Sequence, residues 1–198
     1  MEFNFFTFIF LFAILTSVLA LLYLNFRQDK AIDNSFDEVP DGFSETIKLE
    51  DHQKAGKYTK AKLLLNHFEI IFSTMVLLVW TLGGAMNWID GYWSQRVNDP
   101  VLMGTFFVLS IMLIASFIDL PFSIYRNFVL EQKFGFNRMT VSTFAVDLIK
   151  EVILSLVIVL PLIYAILYLM NIESISNYWW IYVWAIISLF SLIMMWVY

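Results

Sequence analysis

Residues 3–26, FNFFTFIFLFAILTSVLALLYLNF, carry no charged side chain and run apolar on every face. At ~1.5 Å of rise per residue such a helix covers the ~30 Å hydrocarbon layer of a bilayer. A helix on a water-soluble core would instead keep one polar face. A cleaved signal peptide needs a basic start, a shorter apolar core and a small-residue cleavage site, and here only the acidic Glu2 precedes the run. The stretch therefore reads as a retained transmembrane helix.

The rest of the chain follows the same logic. Of its 198 residues 60% are hydrophobic, 18% aromatic and 15% charged, which excludes an ordinary soluble domain. The mean hydropathy is +0.74. Further apolar runs at 67–86, 101–124, 151–170 and 178–198 predict an all-α polytopic protein of about five spans. The absence of Cys excludes disulfides, a thiolate nucleophile and a Cys-ligated metal. Basic residues are too dispersed to bind nucleic acid.

Charge sets an expected orientation. Residues 27–66 hold Arg27, Lys30, Lys48, Lys54, Lys57, Lys60 and Lys62, and residues 125–150 hold Arg126, Lys133, Arg138 and Lys150. The two opposite connections hold Arg96 alone. The positive-inside rule makes 27–66 and 125–150 cytoplasmic loops, with the N-terminus outside and Tyr198 at the cytoplasmic face. Within 27–66, Pro40, Gly42 and scattered acids favour turns, whereas from about Leu49 the sequence reads as a helix starting in water, with Asp51 as a candidate cap. Residues 87–100, with Trp88, Tyr92 and Trp93 beside Asp90 and Asp99, have the composition of a membrane interface.

The least generic stretch is 128–150, FVLEQKFGFNRMTVSTFAVDLIK, read as a polar loop. Gly135 and Asn137 suit a turn with unusual backbone angles. Asp147, Lys150 and Glu151 share a helix face and can pair. Asp119 is an acid in a predicted span, expected to face a polar space, an ion-pair partner or the interface, and Arg126 is near enough in sequence to be that partner. Pro121 is expected to interrupt the helix. His52 and His67 form no helix-spaced ligand pair, and no HExxH, phosphate loop or nucleophile elbow occurs, so no catalytic or metal-binding set is assigned.

In order along the chain stand YLNFRQ at 23–28, EDHQKAGKYTKAK at 50–62, WTLGGAMNWID at 80–90, LPFSIYRNFVLEQKFGFNRMT at 120–140 and FAVDLIK at 144–150. This series resembles the N-terminal membrane region of the CAAX prenyl protease 1 family, zinc-dependent integral membrane endopeptidases, and looks most like bacterial members. The resemblance implies a helical cage around an intramembrane chamber, with Asp119, Arg126, Glu131 and Asn137 as lining or docking residues at its cytoplasmic end. It implies zinc in the full-length protein, held by an HExxH helix and a downstream glutamate that this chain lacks. The chain is thus expected to be a non-catalytic membrane domain without its zinc-bearing half. Its implied partners are the lipid bilayer, the missing C-terminal protease domain and a membrane-associated peptide or protein substrate, in a bacterial inner membrane. Because prenylation is a eukaryotic modification, a bacterial relative would act on other membrane proteins. Two other readings are a stand-alone membrane scaffold or regulator, and a small transporter, which the lack of paired broken-helix repeats disfavours.

Overall fold

The computed structural model describes residues 4–172 and 177–197, and the side chain of residue 197 is left aside. The expected start of the first span at Phe3 and the end of the last at Tyr198 therefore lie outside the described residues. Every long apolar run is helical: α1 (Phe5–Asn34), α2 (Leu49–Thr81), α3 (Ala85–Ser94), α4 (Pro100–Tyr125), α5 (Gln132–Phe134), α6 (Val141–Leu154), α7 (Leu160–Asn171) and α8 (Trp179–Val197). A widened, π-helical turn at Arg126–Glu131 joins α4 to α5, and another at Ser155–Val159 joins α6 to α7. Among the described residues, five continuous helical rods are long and apolar enough to cross a membrane.

Burial is the reverse of a soluble fold. Leu63, Ile89, Val101, Leu109 and Leu130 are buried, whereas Phe5, Phe12, Phe117, Leu189 and Trp184 stand exposed on their helices. Such surfaces are stable only against lipid, and helices satisfy the backbone hydrogen bonds that hydrocarbon cannot.

The chain forms two compact units. The first comprises Met1–Ala85 and Asp119–Arg138. In it α1 and α2 are antiparallel neighbours, 30 and 33 residues long, or about 45 and 50 Å, well beyond the ~30 Å hydrocarbon layer. Their excess length forms a hairpin with polar contacts: Lys60 Nζ lies 2.6 Å from Asp33 Oδ1 and 3.5 Å from Asp29 Oδ1, and His52 Nε2 is 2.7 Å from the Ser35 carbonyl. Gly56 permits the approach, since a Cβ there would sit 3.3 Å from Ile32 and Phe36.

The second unit comprises Met86–Ile118 and Met139–Tyr198. Trp93 of α3 stacks on Phe106 of α4 at 4.9 Å and donates from Nε1 to Ser110 Oγ at 2.9 Å. Gly104 lets α7 close on α4, a Cβ at that position meeting Leu167 Cδ1 at 3.1 Å. Small residues serve membrane helix packing in this way.

Several expectations are corrected. The 125–150 stretch is mostly helix: α4 continues through the widened turn to Phe134, only 135–140 is non-helical, and α6 starts at Val141 with Thr140 capping the Thr143 N–H. Polarity suggested a loop, but the polar groups find partners on α2 and need no break. The helix also passes through Pro121 instead of breaking there. The ring removes one donor to the Phe117 carbonyl, and a widened turn follows at Arg126–Glu131. Asp51 is not the cap of α2. Lys48 occupies that position without a side-chain bond, and Glu50 and Asp51 sit in the first turn, where the helix dipole favours acids.

Candidate functional site

The first unit contains a cavity of about 440 Å³ with a mixed lining: Gln28 of α1, Tyr58, Lys62, Asn66 and Glu69 of α2 and Arg126 on its polar side, with Leu63 and Leu65 beside them. Lys62, Asn66 and Glu69 recur at helical spacing, so α2 presents a polar stripe that runs from its water-exposed half into its apolar half. A polar stripe in a spanning segment is costly against lipid and normally faces protein or a wet cavity.

Two contacts close this cavity on the α4 side. The Arg126 guanidinium pairs with the Glu69 carboxylate, both side chains being part-buried. One turn and a half further on, the Tyr58 hydroxyl donates to Glu131. The Tyr58 ring lies edge-on to Phe134 at 5.3 Å and to Phe136 at 4.9 Å, and the Lys62 ammonium sits 5.2 Å from its centroid. Glu131, Phe134 and Phe136 thus converge on one tyrosine. The widened turn makes this convergence possible, because an extra residue per turn re-aims Arg126 and Glu131 toward α2.

Gly135 ends α5 at φ +79°, and the Phe136 and Asn137 N–H groups donate back to the Glu131 carbonyl at 2.9 and 3.2 Å. The expected unusual turn is therefore at Gly135 and not at Asn137, since among the described residues positive φ occurs only at glycine. Asn25 is buried on α1, next to the lining residue Asn66. Its Oδ1 accepts from Asn66 Nδ2 at 3.4 Å, while its own amide donor has no partner.

The four residues expected from the sequence do not share one site. Arg126 lines the cavity, and Glu131 holds the tyrosine contact beside it. Asn137 donates to Gln132 Oε1 at 2.9 Å in the turn. Asp119 is exposed, accepts from Ser123 Oγ at 3.4 Å, and is not the partner of Arg126. Seven positions along a helix separate them by about 10 Å of rise, and Arg126 reaches Glu69 on the neighbouring helix instead. The sequence reading misses Tyr58, Asn66, Glu69 and Asn25 as site residues, although the spacing of Lys62, Asn66 and Glu69 carries the signal.

Neither histidine is placed for metal. His52 contacts the Ser35 carbonyl and His67 Nδ1 the Leu63 carbonyl at 2.7 Å. Among the described residues no three His, Cys, Asp or Glu side chains cluster, so they do not fit a zinc site. A second, apolar cavity of about 570 Å³ lies between α2 and α4, lined by Phe68, Ile71, Phe72, Met75, Phe122 and Tyr125 among others.

Residues 28–198 match the family model described as CAAX prenyl protease N-terminal, five membrane helices. The chain belongs to this family. Similar full-length proteins include the CAAX prenyl protease 1 homolog of Caenorhabditis elegans, 29% identical over 89% of this chain and 38% of that protein. The CAAX prenyl protease 1 of Saccharomyces cerevisiae is 27% identical over 81% of this chain and 37% of its own length. The chain thus spans about two fifths of the curated relatives it matches. The crystal structure of S. mikatae Ste24p superposes with a TM-score of 0.80 over 92% of this chain and 43% of that one, at 24% identity, which establishes a shared fold. The CAAX prenyl protease N-terminal family accounts for the five spans and for an integral, multi-pass membrane location.

Proposed function

We propose that this domain forms part of the wall of an intramembrane chamber in a zinc-dependent CAAX prenyl protease-like endopeptidase, guiding a membrane-associated peptide toward a catalytic half that lies outside this sequence. The observation that carries this reading is the polar cavity closed by Glu69 and Arg126, built from spanning helices. Such a cavity suits a peptide backbone, whose amides need polar partners inside a bilayer. Arg126 and Glu69 would hold the wall in register, and Tyr58 with Glu131 would fix its polar rim. Asp119 and Asn137 are assigned to the same cytoplasmic end as docking residues. The reading includes an outside N-terminus and a cytoplasmic 135–140 turn, supported by the distribution of Lys and Arg.

Zinc belongs to the proposed catalytic half, where it would activate water for peptide hydrolysis. The relatives named above are eukaryotic, and a bacterial inner membrane rests on the sequence resemblance alone.

The test begins with the intact mass of the native product from its own membranes. A product much larger than 23.2 kDa that binds zinc and cleaves a membrane peptide supports the reading. Alanine at Arg126 or Asp119 in that product should then lower kcat/KM for the peptide while the protein remains folded. A product of 23.2 kDa, or substitutions that change neither cleavage nor folding, would overturn it.

A further inference from the structure

Helix α3 joins two spanning helices without itself spanning, and its surface divides into three sectors. Ile89 is buried at 4% exposure, and one turn on, in the same sector, Trp93 packs onto Phe106 and Ser110 of α4. Asn87, Asp90 and Ser94 make a polar sector. Between them, on one flank, Trp88 and Tyr92 lie four residues apart with exposures of 72% and 41%. Arg96 extends this flank: its guanidinium lies 3.8 Å above the Tyr92 ring and donates from Nη1 to the Tyr92 carbonyl at 2.8 Å.

We infer that α3 lies in the plane of the membrane surface, with the Trp88–Tyr92–Arg96 flank seated in the phospholipid headgroup layer. Three observations favour this occupant. The helix is continuous through short connections with two membrane spans, so its distance from the bilayer is bounded. Its inward face is already packed on α4 through Trp93, which leaves the aromatic flank at a fixed angle to that spanning helix. The flank pairs amphipathic rings with one cation whose remaining guanidinium donors match a lipid phosphate, while the opposite sector carries the acid Asp90 and suits water. Trp and Tyr prefer this depth because ring and polar group are accommodated together, and amphipathic helices rest in the interface in this orientation.

The absence of cysteine makes the test direct. Single variants Trp88→Cys, Tyr92→Cys and Asn87→Cys carry an environment-sensitive fluorophore, in the full chain reconstituted into phosphatidylcholine nanodiscs. Quenching is read with lipids bearing a nitroxide near the headgroup and with aqueous iodide. The expected result is a crossed order: lipid nitroxide quenches at 88 and 92 more than at 87, and iodide does the reverse. Equal iodide quenching at 87 and 88 would overturn the inference by placing the flank in water. Loss of both kinds of quenching at 88 and 92 would also overturn it, because another protein segment would then cover the flank. Positions 88 and 92 report independently, so misfolding of one variant leaves the other, and a circular dichroism spectrum identifies it.

Discussion

The Tyr58 hydroxyl on α2 donates to the Glu131 carboxylate, at the end of the widened turn that follows α4. This ties residues 73 positions apart and closes the polar end of the first unit. Much of the sequence EQKFGF is explained by it, since Glu131, Phe134 and Phe136 all touch Tyr58 and Gly135 supplies the turn between the rings.

Tyr58→Phe should keep both ring contacts and lose the hydroxyl donor, a cost of about 1 kcal/mol for a part-exposed bond to a charged acceptor. Tyr58→Ala should lose the edge-on ring pairs as well, adding about 1 kcal/mol or more. Thermal unfolding in detergent should rank wild type above Tyr58→Phe and Tyr58→Phe above Tyr58→Ala. Equal midpoints for wild type and Tyr58→Ala would refute the hub.

Glu69 and Arg126 form a pair that is neither buried nor fully wet, with side-chain exposures of 23% and 43%. Removing either partner leaves a charge facing the cavity, and each single alanine should destabilise by roughly 1–2 kcal/mol, between surface and buried pairs. The double variant should cost less than the sum, with a coupling of about 1 kcal/mol in a double-mutant cycle. An additive cycle would show that the two charges act separately.

How much was legible in the sequence follows from what each signal measures. Hydrophobic runs report the solvent of a helix, so the five spans could be read directly. Asp147 and Lys150 were equally local, and their predicted contact is present at 3.2 Å. Partner choice between helices was not legible. Arg126 stood near Asp119 in sequence, yet the π-helical turn that aims it at Glu69 has no composition of its own. The stretch 125–150 looked like a loop because its polar residues were counted as facing water, when Glu131 and Arg126 face α2.

Gly104 should tolerate alanine, because the atom a Cβ would meet is the far end of Leu167, 3.1 Å away and able to turn. Gly104→Leu should force α4 and α7 apart and cost about 1–3 kcal/mol, as overpacking does. Leu167→Ala should recover part of that loss by vacating the space. If Gly104→Leu and wild type melt together with or without Leu167→Ala, α4 and α7 do not approach closely at this point.

Gly135 offers a separable backbone test. At φ +79° nothing lies within 4 Å of where a Cβ would project, so Gly135→Ala meets only the left-handed backbone penalty of roughly 1–2 kcal/mol. Gly42 also has open space around a Cβ, but no positive φ, so Gly42→Ala should be neutral or slightly stabilising through the unfolded chain. The comparison isolates backbone angle from crowding. The Gly135→Ala loss should also remain in a Tyr58→Phe background, because the strain belongs to the turn itself and not to the hydroxyl contact. If Gly135→Ala and Gly42→Ala unfold at the same temperature, residue 135 does not hold the left-handed conformation on which the convergence of Phe134 and Phe136 depends.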